Sequence, residues 1–191
     1  MKTNQNGKHH LVGFQSRKAA QVSAFFAQGA GPSIDKLKLI KLIYLAERQF
    51  MLKYGQPMLY DEFFSLRHGP ICSNALNGIN GDIDRGTWSA FISKQQNKIS
   101  ATRTFSREDF DEISNAEIEV LKSTLESFGF MTASQLRNYT HKHCPEYTEI
   151  ESGRIPINYF SLFKVLGLQG AEYLAGEIDQ YRKTEAMLSS K

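Results

Sequence analysis

The sequence predicts a mainly α fold, a single-domain helical bundle built around one buried central helix, and three observations lead there. Across the ten positions from Leu37 to Ala46 only Lys38 and Lys41 are polar. Apolar residues recur at helical spacing from Phe14 to Gln28 and again through most of the second half. Helix-start signals stand in front of those runs, in Ser114-Asn115-Ala116-Glu117 and in Thr132-Ala133-Ser134-Gln135. The 191 residues, 41% hydrophobic and 23% charged, suffice for one core without covalent staples.

The first element follows a polar stretch over residues 1–13, expected to be a flexible tail rather than a signal or an anchor. From about Phe14 to Gln28, Ala19, Val22, Phe25 and Phe26 share one helical face, and Gly29-Ala30-Gly31-Pro32 breaks the run. Ser33 then offers an N-cap, with Asp35 at the positive end of the next helix. That central helix spans about 34–54 and stops at Gly55, with Pro57 beyond. Asp35, Lys38, Lys41, Arg48, Gln49 and Lys53 gather on one side of its wheel and are expected to face solvent. Glu47 falls opposite them, near Ile40 and Ile43, so its carboxylate needs a salt bridge or the backbone N–H groups of a loop.

Between Gln56 and Phe105 the pattern is mixed. A strand is expected near 62–67, ending at His68-Gly69-Pro70, followed by a helix up to Asn80-Gly81 and a short helix at Thr87–Ile92. Residues 98–105 alternate and carry β-formers, so a small two- or three-stranded antiparallel sheet is expected to pair them with 62–67. Beyond the Ser114 signal, Ile118, Leu121, Leu125 and Phe128 lie in register before Gly129. A second helix runs from the Thr132 signal to about His141. Pro156 suits the first helical position ahead of Tyr159, Phe160 and Phe163. Over 169–191 an amphipathic helix carries Ala171, Leu174, Ile178 and Tyr181 on one face, and is expected to complete the core or to dock on a partner.

Chemistry is sparse. No glycine-rich nucleotide loop, nucleophile elbow or His-Glu-x-x-His helix occurs. His68 with Cys72 and His141 with Cys144 form two half-sites that together would suit a structural zinc. The first pair straddles Pro70, however, so no metal and no cofactor are expected. A net charge of +3 is too small to make nucleic acid the default partner. Two distant cysteines and the lack of any apolar run long enough to span a bilayer lead us to expect a soluble, cytoplasmic protein.

The run Lys38-Leu39-Ile40-Lys41-Leu42-Ile43-Tyr44-Leu45-Ala46-Glu47 resembles the signature helix of the Panacea domain, the SocA-like antitoxin family. That signature reads Lys-Leu-x-Lys-Leu-x-Tyr-x-Ala and then an acid, most often Asp. Tyr54–Met58, Asp61-Glu62-Phe63, His68-Gly69-Pro70-Ile71, Ile113–Glu117 and Thr140-His141 with Pro145 follow the family's order and spacing from about Phe14 to Leu166. Glu47 stands for the usual Asp, Ile71 for Val, and Glu146 where the family commonly has Trp.

The resemblance implies a family domain over 14–168 in its stand-alone form. Its signature residues would be Lys38, Leu39, Lys41, Leu42, Tyr44, Ala46, Glu47, Gly69, Pro70, Thr140 and His141, mostly structural. It also implies an antitoxin, not an enzyme, that neutralises a cognate toxin encoded next to it by direct binding, with delivery of the toxin to a protease as the alternative. A nucleic-acid-binding regulator is the weaker reading, and the partner-binding surface is not legible.

Overall fold

The computed structural model describes residues 13–189, so the tail expected over 1–13 lies, apart from Gly13, outside the described residues. The protein is mainly α with two small antiparallel sheets. Helix α1 (Ser16–Gly29) leads through the two-residue strand β1 (Ile34–Asp35) into the central helix α2 (Lys36–Tyr54). Strands β2 (Phe63–Leu66) and β3 (Gly69–Cys72) form a hairpin that runs straight into α3 (Ser73–Asn80). Helix α4 (Arg85–Phe91) precedes β4 (Ile92–Gln95) and β5 (Lys98–Ala101). Helices α5 (Asn115–Phe128) and α6 (Ala133–His143), strand β6 (Ile155–Ile157), and helices α7 (Tyr159–Val165) and α8 (Ala171–Ser189) complete the order.

Local chemistry sets most of these boundaries. Asp35, not Ser33, caps α2, its carboxylate accepting from the Leu37 N–H at 2.9 Å. At the other end Gly55 takes the left-handed cap, φ +69°. Both expected capping boxes are present, Ser114 with Glu117 on α5 and Thr132 with Gln135 on α6. Pro156 does not open a helix. It sits in β6 at a sheet edge, where a missing N–H is tolerated, and Asn158 caps α7 by accepting from the Ser161 N–H at 2.7 Å.

The expected pairing of 62–67 with 98–105 does not occur. Both segments contain strands, in different sheets. One sheet is ordered β1-β5-β4, with Ile34 opposite Ile99 and Ile92 opposite Ala101. The other is β3-β2-β6, with Phe63 opposite Cys72 on one side and Ile157 on the other. The middle strand of each sheet, β5 or β2, pairs on one side with the neighbour that a short hairpin brings back, β4 or β3, at little closure entropy, and on the other with a distant strand, β1 or β6.

Helix α2 is enclosed by α1, α5, α6 and β3. Leu39, Leu42, Ile43, Tyr44 and Ala46 have no exposed surface. Each enclosed Leu or Ile contributes about 2 kcal/mol through burial. The amphipathic face of α8 packs on α7 and on the segment after α2. There Ile178 is buried, the Tyr181 ring lies 4.5 Å from that of Tyr60, and Arg182 donates to the carbonyls of Tyr60 and Asp61 at 2.8 and 2.9 Å.

Candidate functional site

The signature residues converge where the first half of α2 meets the β2–β3 hairpin and α6. Lys41 is the departure from the sequence reading. Instead of facing solvent with the basic stripe it is fully enclosed, and its ammonium donates to the Pro70 carbonyl at 2.7 Å. Burial pulls its pKa down to about 7. Lys38 turns to the Gly129 carbonyl at the end of α5, where a cation complements the helix dipole. Arg48 is held by Glu146, and Lys53 lies 3.7 Å from Glu119. The stripe is therefore used by its own fold and does not form an open basic face.

Gly69 lets the hairpin come this close. Its φ of +96° is one that L side chains avoid, and a Cβ there would fall 2.8 Å from Lys41 Nζ and 2.9 Å from Thr140 Oγ1. His141 lies against the same spot, its Cδ2 3.1 Å from that position and its ring 4.4 Å from the Tyr147 ring. Its Nε2 is enclosed without a hydrogen-bond partner, and burial, then the charges of Arg137 and Lys41, lowers its pKa. Thr140 is buried and donates to the Arg137 carbonyl at 2.9 Å.

Three residues beyond Lys41, α2 builds a second contact. The Tyr44 hydroxyl and, at 2.9 Å, Arg48 Nε both donate to Glu146 Oε1. The Glu146 side chain is wholly enclosed and its second oxygen has no partner. Burial and this neighbouring carboxylate push the Tyr44 hydroxyl well up. The residue that departs from the family's Trp is thus the acceptor for a signature tyrosine. Nothing local could have shown this, because the partners are about a hundred residues apart.

Glu47 meets the backbone N–H groups expected of it. Its two oxygens accept from Met58 at 2.9 Å and Leu59 at 2.6 Å. Burial pushes its carboxyl up to about 8 against the pull of those two bonds. Asp61, which sequence reasoning did not single out, performs the matching task one loop later. It accepts from Glu62 at 2.6 Å and from Asn74 and Ala75 at 2.8 Å each, tying the loop to the start of α3, and burial pushes it up to about 7. Its targets lie too far along the chain for a local capping signal.

These groups hold the fold. Cys72 and Cys144 are free, buried thiols whose pKa burial raises, the first well above its ordinary value and the second to about 12, which leaves them poor nucleophiles. The zinc quartet does not assemble. His68 is exposed in the hairpin turn, and no group of three or more His, Cys, Asp or Glu among the described residues could hold a metal.

Of the hollows among the described residues, two adjoin strand β2. One, of about 390 Å³, lies between β2, β6, α7 and α8, with Arg182 at its wall. The other, of about 330 Å³, opens beside the hairpin between Leu37, Ile40, Leu66, Ile71 and Leu76. No described helix is long and apolar enough to cross a membrane.

Comparison with known proteins gives one result. The family described as antitoxin SocA-like, Panacea domain, matches residues 39–146, more than half of the chain and the segment that carries α2, the hairpin, α5 and α6. No curated protein and no solved structure matches. With its matched segment coinciding with the buried scaffold just described, the chain belongs to the SocA-like Panacea-domain antitoxin family.

Proposed function

We propose that this protein is the antitoxin of a bacterial or phage toxin–antitoxin pair and neutralises a cognate toxin, encoded by an adjacent gene, through direct protein–protein contact in the cytoplasm. The observation that carries the reading is the antitoxin-family match over residues 39–146. The geometry supports it. Lys41, Tyr44, Glu47, Gly69, Pro70 and Thr140 act as internal ties, which leaves exposed surface for a partner. High-pKa buried thiols and carboxylates bound to backbone N–H groups support a binding role over catalysis. Lys38, Lys41 and Arg48 turn inward to fold contacts, which favours a protein over a nucleic acid as partner. Residues 14–168 serve as the family domain, and α8 closes the same core through Ile178, Tyr181 and Arg182.

The test is growth rescue. The neighbouring gene's product, expressed alone, should arrest growth, and co-expression with this protein should restore it with both proteins present at steady level. Rescue accompanied by loss of the toxin would replace neutralisation by delivery to a protease. A harmless neighbour and no co-purifying protein would refute both.

A further inference from the structure

The hollow beside the hairpin is apolar inside and basic at its mouth. Leu37, Ile40, Leu66, Ile71 and Leu76 form its sides, and Lys41 also contributes to them. Arg67 and His68, both exposed in the hairpin turn, stand on one lip, and Ser152 and Gly153, also exposed, on the other. Its volume of about 330 Å³ is in the range of sites that enclose a ligand group. No Asp or Glu lines it among the described residues, while Glu149 and Glu151 sit in the same 145–154 connection outside the lining. The Lys41 ammonium has the Pro70 carbonyl as its hydrogen-bond acceptor, with no carboxylate beside it. The walls suit an apolar side chain, and the lip suits a carboxylate next to it.

We propose that this pocket is the docking point for the partner protein, taking an apolar side chain of the toxin flanked by an acidic residue. The proposal rests on the protein-binding reading above and goes beyond it by naming the surface and the chemistry of the group received. The pocket is built on the hairpin that Gly69 and Pro70 press against α2, so scaffold and docking surface are two sides of the same turn. An apolar anchor in an enclosed pocket with a charged rim is the arrangement that concentrates binding energy at protein interfaces.

The test is calorimetric titration of the purified full-length protein with the neighbouring gene's product. Two pocket variants probe opposite lips, Arg67→Glu for charge and Ser152→Trp for space, with Lys122→Glu on the exposed side of α5 as control. All three positions are exposed, so thermal melts matching wild type are expected. Both pocket variants should bind at least about tenfold more weakly, Lys122→Glu should bind as wild type, and the Arg67→Glu loss should shrink as salt rises. Wild-type affinity in both pocket variants overturns the pocket and leaves the antitoxin reading standing. No complex with the wild-type protein overturns both. A wild-type dimer that either pocket variant dissociates would make a second copy the occupant and also overturn the proposal.

Discussion

Removing the Glu47 carboxylate should loosen the protein by a large part of its stability, although the side chain touches no surface. Its two oxygens are the acceptors for the N–H groups of Met58 and Leu59, and both residues are at most 1% exposed. In Glu47→Ala these two donors are stranded away from water. At about 1–3 kcal/mol for each stranded donor the cost is about 2–6 kcal/mol, against a total of about 5–15 for a typical domain. Glu47→Gln keeps an acceptor for one N–H and turns its own amide toward the other, so about half that cost is expected.

The dependence on pH has a definite sign. A carboxyl raised from 4.5 to about 8 holds its proton in the folded state where the unfolded chain has lost it. Its contribution is fully present below pH 4.5 and is lost as pH rises through 8, by up to about 5 kcal/mol. Urea denaturation of wild type, Glu47→Ala and Glu47→Gln at pH 5, 6.5 and 8 measures both effects. The advantage of wild type over Glu47→Gln should shrink steadily across that range. At pH 5, a Glu47→Ala protein within about 0.5 kcal/mol of wild type would refute the reasoning, as would a Gln difference that stays flat across the pH series.

Other consequences can be measured in the same way. Lys41 has its pKa lowered from 10.5 to about 7, so between those values the unfolded chain binds the extra proton and wild type should gain stability with pH relative to Lys41→Met, by up to about 5 kcal/mol. Parallel stability curves for the two proteins from pH 7 to 9.5 would show that the ammonium is not desolvated. Gly69→Ala combines a φ of +96° with close approaches to Lys41 and Thr140, and should cost about 2–4 kcal/mol in a urea melt. A near-neutral substitution there would remove Gly69 from the account. The charge-assisted bond from Tyr44 to Glu146 should give a coupling of about 1–3 kcal/mol in a double-mutant cycle of Tyr44→Phe and Glu146→Ala, where independent sites would give none.

How far the sequence revealed this molecule depended on the range of the interactions involved. The caps at Ser114, Thr132 and Gly55 are local patterns and were readable. So was Glu47, because a lone carboxylate on the apolar side of a helix has few ways to be satisfied. Lys41 was not. Its place on the helical wheel is polar, and it is enclosed by the hairpin, some thirty residues away, and by α6, about a hundred residues away. Strands 63–66 and 98–101 carried runs of β-forming residues, whereas β1, β3 and β4 hold a single Ile each and β6 is interrupted by Pro156. Strand β4 follows α4 without a break and is exposed at three of its four positions, so it lacks the alternation that marks a strand. Pro156 fits a first helical turn and an edge strand equally well, and the register of β6 against Phe63–Ser65 decided between them. Glu146 read as a loss against the family pattern until Tyr44 and Arg48 were found bonded to it.

The central claim, neutralisation by direct contact, is tested most directly with two purified proteins and no protease. The toxic activity of the neighbouring gene's product should fall in proportion to the added protein and reach its floor at a fixed stoichiometry. Toxic activity that persists under excess wild-type protein, or that falls only once a protease is supplied, would contradict it.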